Sequence, residues 1–206
     1  MLSSRMPESL PLFPLRTVLV PGAALGLRIF ERRYLDMVAE CGRKGSGFGV
    51  CMILQGEEAG APASPAAWGC EATIEDFDNT PDGLLALRVR GGRRFQVLHA
   101  RVRDNGLLVG DVRFHEDAPA VPGASLRLRP EHALLADLLR RIMEQVGSAA
   151  GDPAPALFED APWVGWRLAE LLPLSHAQRQ QLLQVDDPHA RLQSLLDGFA
   201  EEGPPA

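Results

Sequence analysis

Few residues in this 206-residue chain could run chemistry: five histidines, three cysteines and one lysine, Lys44. His99, His115, His132, His176 and His189 are scattered, without the H-E-x-x-H or similar spacing that turns two imidazoles toward one metal. No metal and no cofactor are therefore expected. Ser175-His176 sets a hydroxyl beside an imidazole, the pair that a nucleophile and its base require. Adjacent helical residues point in different directions, however, and Ser before "HAQ" suits a helix N-cap better. The carboxylate pairs Glu57-Glu58, Asp186-Asp187 and Glu201-Glu202 fall in a loop, a cap and a tail. Solvent there would hold their pKa values together, whereas acid–base catalysis needs them apart. Cys41, Cys51 and Cys70 are odd in number and lack C-x-x-C spacing, and each lies in an apolar or periodic segment. They read as buried small hydrophobes in a reducing, cytoplasmic compartment. No catalytic residue is assigned.

Arginine offers a different chemistry. Arg88, Arg90, Arg93, Arg94, Arg101 and Arg103 gather in two neighbouring hairpins, where they could meet phosphates. A solvated strand face explains them equally well. Phe95 is the only nearby aromatic for base stacking and is expected to point inward, and the net charge of -6 argues against nucleic acid.

The elements that would position these residues follow from hydrophobic period and turn residues. Leu10–Leu15, with Pro11 and Pro14, reads as a short edge segment continued by Thr17–Val20, since proline withholds a ladder donor. Pro14 and Arg16 also break the apolar run a signal peptide needs, and no segment reaches the roughly 20 apolar residues that span a bilayer. After a turn at Pro21-Gly22, Leu25, Leu27 and Ile29 alternate as in a strand. Glu31–Arg43 takes helical period, with Tyr34, Leu35, Val38 and Cys41 on its apolar face and Gly42 or Gly45 to stop it. Phe48–Leu54 is apolar on both faces, as a central strand is, and Gln55–Ala67 reads as a surface loop. Strand alternation then recurs between turn signals at Thr80–Gly83, Gly91-Gly92 and Asp104–Gly106, out to Phe114.

Past a Pro- and Gly-bearing link at Asp117–Ser125 the pattern becomes helical throughout. A stripe from Leu134 to Val146 ends at Gly147, and a second, with Trp163, Val164 and Leu168, is entered near Asp160 and closed by Pro173. Ser175–Gln178 has capping-box spacing, and Asp187-Pro188 opens a last helix whose face is Leu192, Leu195, Leu196 and Phe199. Strands followed by helices predict an α+β protein. Its expected parts are a β subdomain over 1–118 and a helical subdomain over 119–206 with a disordered C-terminal tail.

Six stretches carry a family resemblance in order: "LPLFPLRTVLVPG" from Leu10, "LRIFERRYLDMV" from Leu27, "FGV" at Phe48, "GCEATI" at Gly69, "VRGGRRFQV" at Val89 and "LPLSHAQRQQLLQVDDPHARLQSLL" from Leu172. Together they resemble the N-terminal domain of the ATP-dependent protease Lon, in its small stand-alone form. Arg28 and Arg32 depart from the His and Pro often found there. The resemblance implies a PUA-like antiparallel β pseudo-barrel with one helix, followed by a C-terminal helical bundle, and a role in engaging substrate polypeptides. The protease's working parts are not legible. No GxxxxGK[ST] phosphate loop occurs; Lys44, the single lysine, lies in "GRKGSG" with the wrong spacing and order, and its expected place at a helix end leaves no credible Ser–Lys dyad.

The expected function is thus a noncatalytic recognition module for unfolded or extended polypeptide. RNA binding and docking on a full-length protease are the alternatives, and no membrane partner is expected. Candidate recognition or structural residues are Arg16, Glu31, Arg33, Tyr34, Arg94, Phe95, Trp163 and Trp166. Glu31 is expected to pair with Arg94, joining helix to sheet. Leu12–Arg16, the 31–43 helix, Trp163 and Trp166 are the expected groove walls.

Overall fold

A computed structural model describes residues 6–60, 63–119, 121, 123–146 and 153–201. The chain is α+β and divides into two compact units, Met1–His115 and Glu116–Ala206. The first contains six strands, β1 (Glu8–Leu15), β2 (Ala24–Ile29), β3 (Phe48–Gln55), β4 (Ser64–Asn79), β5 (Leu85–Val102) and β6 (Leu108–His115), with helix α1 (Arg32–Lys44) between β2 and β3. The second contains α2 (Ala133–Val146), α3 (Ala161–Leu171), α4 (His176–Leu182) and α5 (Pro188–Glu201), with short 3-10 segments at Pro130–His132 and Pro155–Glu159. No helix among the described residues is long and apolar enough to cross a membrane.

The strands form one sheet in the order β2-β5-β4-β3-β1-β6, and β5 pairs again with β6. Five strands thereby close into a hydrogen-bonded ring, with β2 attached outside it on β5. The length of β5 permits this. Its first half pairs with β2 and β4 and its second half with β6, while irregularities in register at Cys70/Ala72, Ile74/Asp76 and Val97/His99 bend the long strands. Inside the first unit Leu10, Leu12, Cys51, Phe95, Leu108 and Val112 form a buried cluster.

Several expectations change. β1 is not the sheet's edge, because it lies between β3, to which it runs parallel, and β6, to which it runs antiparallel. Its prolines are tolerated because the two pairings barely overlap. Glu8–Leu12 faces β6 and Leu12–Leu15 faces β3, so Pro11 and Pro14 each stand where one flank has no ladder to feed. Thr17–Val20 does not continue the strand; the chain bends at Arg16-Thr17. Gly91-Gly92 is no turn, since β5 runs straight through it. Gly91 is needed for close approach, because a Cβ there would lie 2.1 Å from the Val20 carbonyl oxygen. The loop expected over Gln55–Ala67 is shorter, with β4 beginning at Ser64.

Helix α1 ends on Gly45, which adopts φ 61° and donates its N–H to the Cys41 carbonyl. Its buried face is Arg33, Tyr34, Met37 and Cys41, which leaves Leu35 exposed. In the second unit α3 packs on α2 and α5 around Leu139, Val164, Leu168 and Leu192. Ser175 and Gln178 close a capping box, and the Asp160 carboxylate caps α3 by accepting from the Trp163 N–H at 2.7 Å. Gly147 and the tail from Glu202 lie outside the described residues.

Candidate functional site

The chemistry-bearing residues are occupied by structure. The Ser175 hydroxyl accepts the Gln178 N–H at 3.2 Å and the Gln178 side chain accepts the Ser175 N–H at 2.7 Å, so the Ser–His neighbours form a cap. All three cysteines are free and buried. Burial raises the thiol pKa of each, that of Cys51 to about 12, away from any nucleophilic role. Among the described residues, no three His, Cys, Asp or Glu side chains gather in a way that could hold a metal ion.

The arginines expected on the hairpins are matched to carboxylates. Arg90 and Arg88 both reach Glu75, Arg93 forks onto Glu71 at 2.9 and 3.2 Å, Arg101 meets Asp111 at 2.8 Å and Arg103 meets Glu40 at 2.8 Å. Arg94 is buried. The five matched arginines thus alternate with the carboxylates of Glu75, Glu71, Asp111 and Glu40.

A groove of about 770 Å³ opens beside β2. Phe13 and Leu15 from the end of β1 and Tyr34 from α1 contribute apolar lining, Leu25–Ile29 of β2 and Phe30 form one wall, and Arg16, Thr17 and Glu57–Ala59 form the other. The Phe13 and Tyr34 rings pack with centroids 4.1 Å apart. Desolvation raises the Tyr34 phenol pKa, keeping it neutral. Phe30 is 60% exposed, an apolar side chain held toward solvent at the groove. Among the described residues β2 pairs with β5 alone, so its other flank presents backbone N–H and C=O groups without a strand to receive them.

Three of the sequence-selected residues, Arg16, Glu31 and Tyr34, meet at this groove. Arg33 stands behind it. Its guanidinium lies 4.7 Å from the Tyr34 ring centroid, pairs with Glu31 at 3.0 Å and donates to the Gly106 carbonyl at 3.1 Å. The expected Glu31–Arg94 pair is therefore corrected: the partner of Glu31 is Arg33, two residues along. Arg94 is set in β5 opposite Cys70 and His115. Phe95 is wholly buried in the first unit's core, edge-on to Phe114 at 6.2 Å. Trp163 and Trp166 belong to the second unit. Trp163 packs edge-on to Phe158 at 5.1 Å, and Trp166 donates to Asp117 at 2.8 Å beneath the Arg191 guanidinium at 3.6 Å. Sequence reasoning missed Phe30 and the β2 flank; the brevity of β2 and Gly26 within it were the available signals.

Residues 9–198 match the family model described as the ATP-dependent protease La (LON) substrate-binding domain. The chain belongs to the Lon substrate-binding domain family. Its structure is similar to the crystal structure of a Lon N-terminal domain protein from Xanthomonas campestris, with 56% identity, a TM-score of 0.75, and coverage of 92% of this chain and 98% of that one. It also shares the fold of the N-terminal domain of a Mycobacterium avium complex Lon protease, at 20% identity and a TM-score of 0.61, over 92% of this chain and 97% of that one. What matches in the Lon family is the substrate-binding domain alone; the match includes no ATPase or protease domain.

Proposed function

We propose that this chain is a noncatalytic substrate-recognition module that holds unfolded or extended polypeptide in the groove beside β2. The single observation that carries this is the coincidence of an unpaired strand flank with an apolar groove lined by Phe13, Leu15, Tyr34 and Phe30. An extended segment can supply main-chain hydrogen bonds to the flank and alternate side chains to the groove. Membership of a substrate-binding family supports the same reading. We further read the closed strand ring as a PUA-like pseudo-barrel and the helices of the second unit as its helical bundle, with three buried thiols suited to a reducing cytoplasm. The carboxylate-matched arginines favour polypeptide over RNA, and docking on a full-length protease is compatible with the same groove.

The test is a two-dimensional amide NMR titration with a reduced, carboxymethylated polypeptide. Shift changes confined to Phe13–Thr17, Ala24–Tyr34 and Glu57–Ala59 are expected. Changes centred on Arg88–Arg103, or none at saturating polypeptide, would refute the assignment.

A further inference from the structure

One wall of the groove is neither sheet nor helix. Every residue of Gly56–Gly60 is exposed, yet Glu57, Glu58 and Ala59 line the groove. Polar ties hold the segment there rather than apolar burial. Arg16, at the bend after β1, donates from Nη2 to Glu57 Oε2 at 2.6 Å and to the Gly56 carbonyl at 3.2 Å, while its backbone N–H donates to Glu58 Oε1 at 2.5 Å. At the other end the Gly60 N–H reaches Glu31 Oε2 at 3.4 Å, and Glu31 is itself fixed by Arg33. The segment therefore spans from the end of β1, which supplies Phe13 and Leu15 to the groove, to the start of α1, which supplies Tyr34.

The strength of those ties matters. The Arg16 and Glu57 side chains are 59% and 74% exposed. Ion pairs so open to water shift an equilibrium by no more than about fivefold, and salt screens them. A tie of that size holds a segment in place most of the time and releases it readily.

We propose that Gly56–Gly60 is a strap across the groove, latched by Arg16, and that a polypeptide client enters when the latch opens. This rests on the groove being the polypeptide site. Arg16 then competes with the client instead of contacting it. Because only the unlatched form binds, apparent affinity is reduced by the fraction unlatched, and any change that frees the strap tightens binding. A direct contact role for Arg16 predicts the opposite sign.

The experiment uses the full chain with Leu25→Cys, a thiol in the groove beside three native thiols that are buried. Its maleimide labelling rate is measured with and without Arg16→Gln, and with the double change Glu57→Gln/Glu58→Gln, at low and high sodium chloride. Affinity for a carboxymethylated polypeptide is measured in parallel without the reporter. Labelling and affinity are both expected to rise about three- to fivefold in either latch variant, and salt is expected to raise them in the unaltered latch alone. An unchanged labelling rate, or weaker binding by Arg16→Gln, would overturn the strap. Faster labelling with no polypeptide bound by any form would uphold the strap and refute the polypeptide reading instead.

Discussion

Phe95 and Gly49 make a quantitative test of how the first unit is packed. A Cβ at Gly49 would lie 2.6 Å from Phe95 Cζ, 2.8 Å from Leu12 Cδ2 and 2.9 Å from Leu10 Cδ2, all of them ends of side chains. Gly69 is different, since a Cβ there would also lie 2.4 Å from the Val50 carbonyl oxygen, which cannot move aside. Phe95→Ala empties a wholly buried ring site and should destabilise the protein by about 3–5 kcal/mol. Gly49→Ala alone overpacks the same site and should cost about 1–3 kcal/mol. Together the new methyl group enters the space the ring has left. The double variant should therefore be more stable than the sum of the single effects by at least about 1 kcal/mol. Gly69→Ala paired with Phe95→Ala should show no such rescue, because its backbone clash persists. Urea unfolding followed by far-ultraviolet circular dichroism measures Phe95→Ala, Gly49→Ala, Gly69→Ala and the two double variants. Additive effects for Phe95 and Gly49, or a Phe95→Ala change below about 1 kcal/mol, would show that Phe95 does not fill this space.

Three further outcomes are expected. Glu31→Ala leaves Arg33, 7% exposed, with only its Gly106 bond and the Tyr34 ring, and should cost about 2 kcal/mol in urea unfolding, less than the roughly 3–5 kcal/mol of a fully buried broken pair because Glu31 is 20% exposed. Burial lowers the His132 pKa below 6.5 in the folded state, aided by the stacked His189 ring 5.7 Å away, so the unfolded chain binds the proton first and stability should fall as pH drops below about 6.5. A second loss should begin below about 4.5 and extend toward 2, the value to which hydrogen bonds from Arg103 and Lys44 bring Glu40; His132→Gln should abolish the first limb of a stability–pH curve and spare the second. All three cysteines should resist an aromatic disulfide reagent at pH 8 in the native protein and react after unfolding; prompt reaction of Cys51 or Cys70 would contradict their burial.

Local chemistry made much of this fold legible. The capping box at Ser175, the Asp160 entry to α3, the Gly45 stop of α1 and the hairpin turns near Gly83 and Gly106 each depend on a few neighbouring residues, and each forms. Pairing between distant segments was harder to read. β1 seemed an edge because proline is usually tolerated there, but its two half-pairings, one of them a parallel match to β3 across the whole β2–α1 connection, leave room for proline inside the sheet. The real free flank, on β2, carries no proline to advertise it. Glycine misled in the same way: Gly91-Gly92 has turn composition, yet the close approach of Val20 is what demands Gly91. On α1 the apolar period pointed to Leu35 and Val38, while the ion pair with Glu31 allows Arg33 to be buried in their stead. Arg16, Glu31 and Tyr34 were found because they belong to recognisable motifs. Phe30 lies in the same stretch as Glu31 and Tyr34, yet a single aromatic after a short strand shows its exposure only once the groove is formed.

The most direct test of the account is the affinity of a fluorescently labelled, carboxymethylated polypeptide for the native protein and for Phe30→Glu, read by anisotropy. Phe30 is exposed, so the change should leave the melting temperature within about a degree, as surface substitutions of this kind usually do. Measurable binding by the native protein and at least a tenfold loss in Phe30→Glu are expected. Equal binding by the two, or none by the native protein, would contradict it.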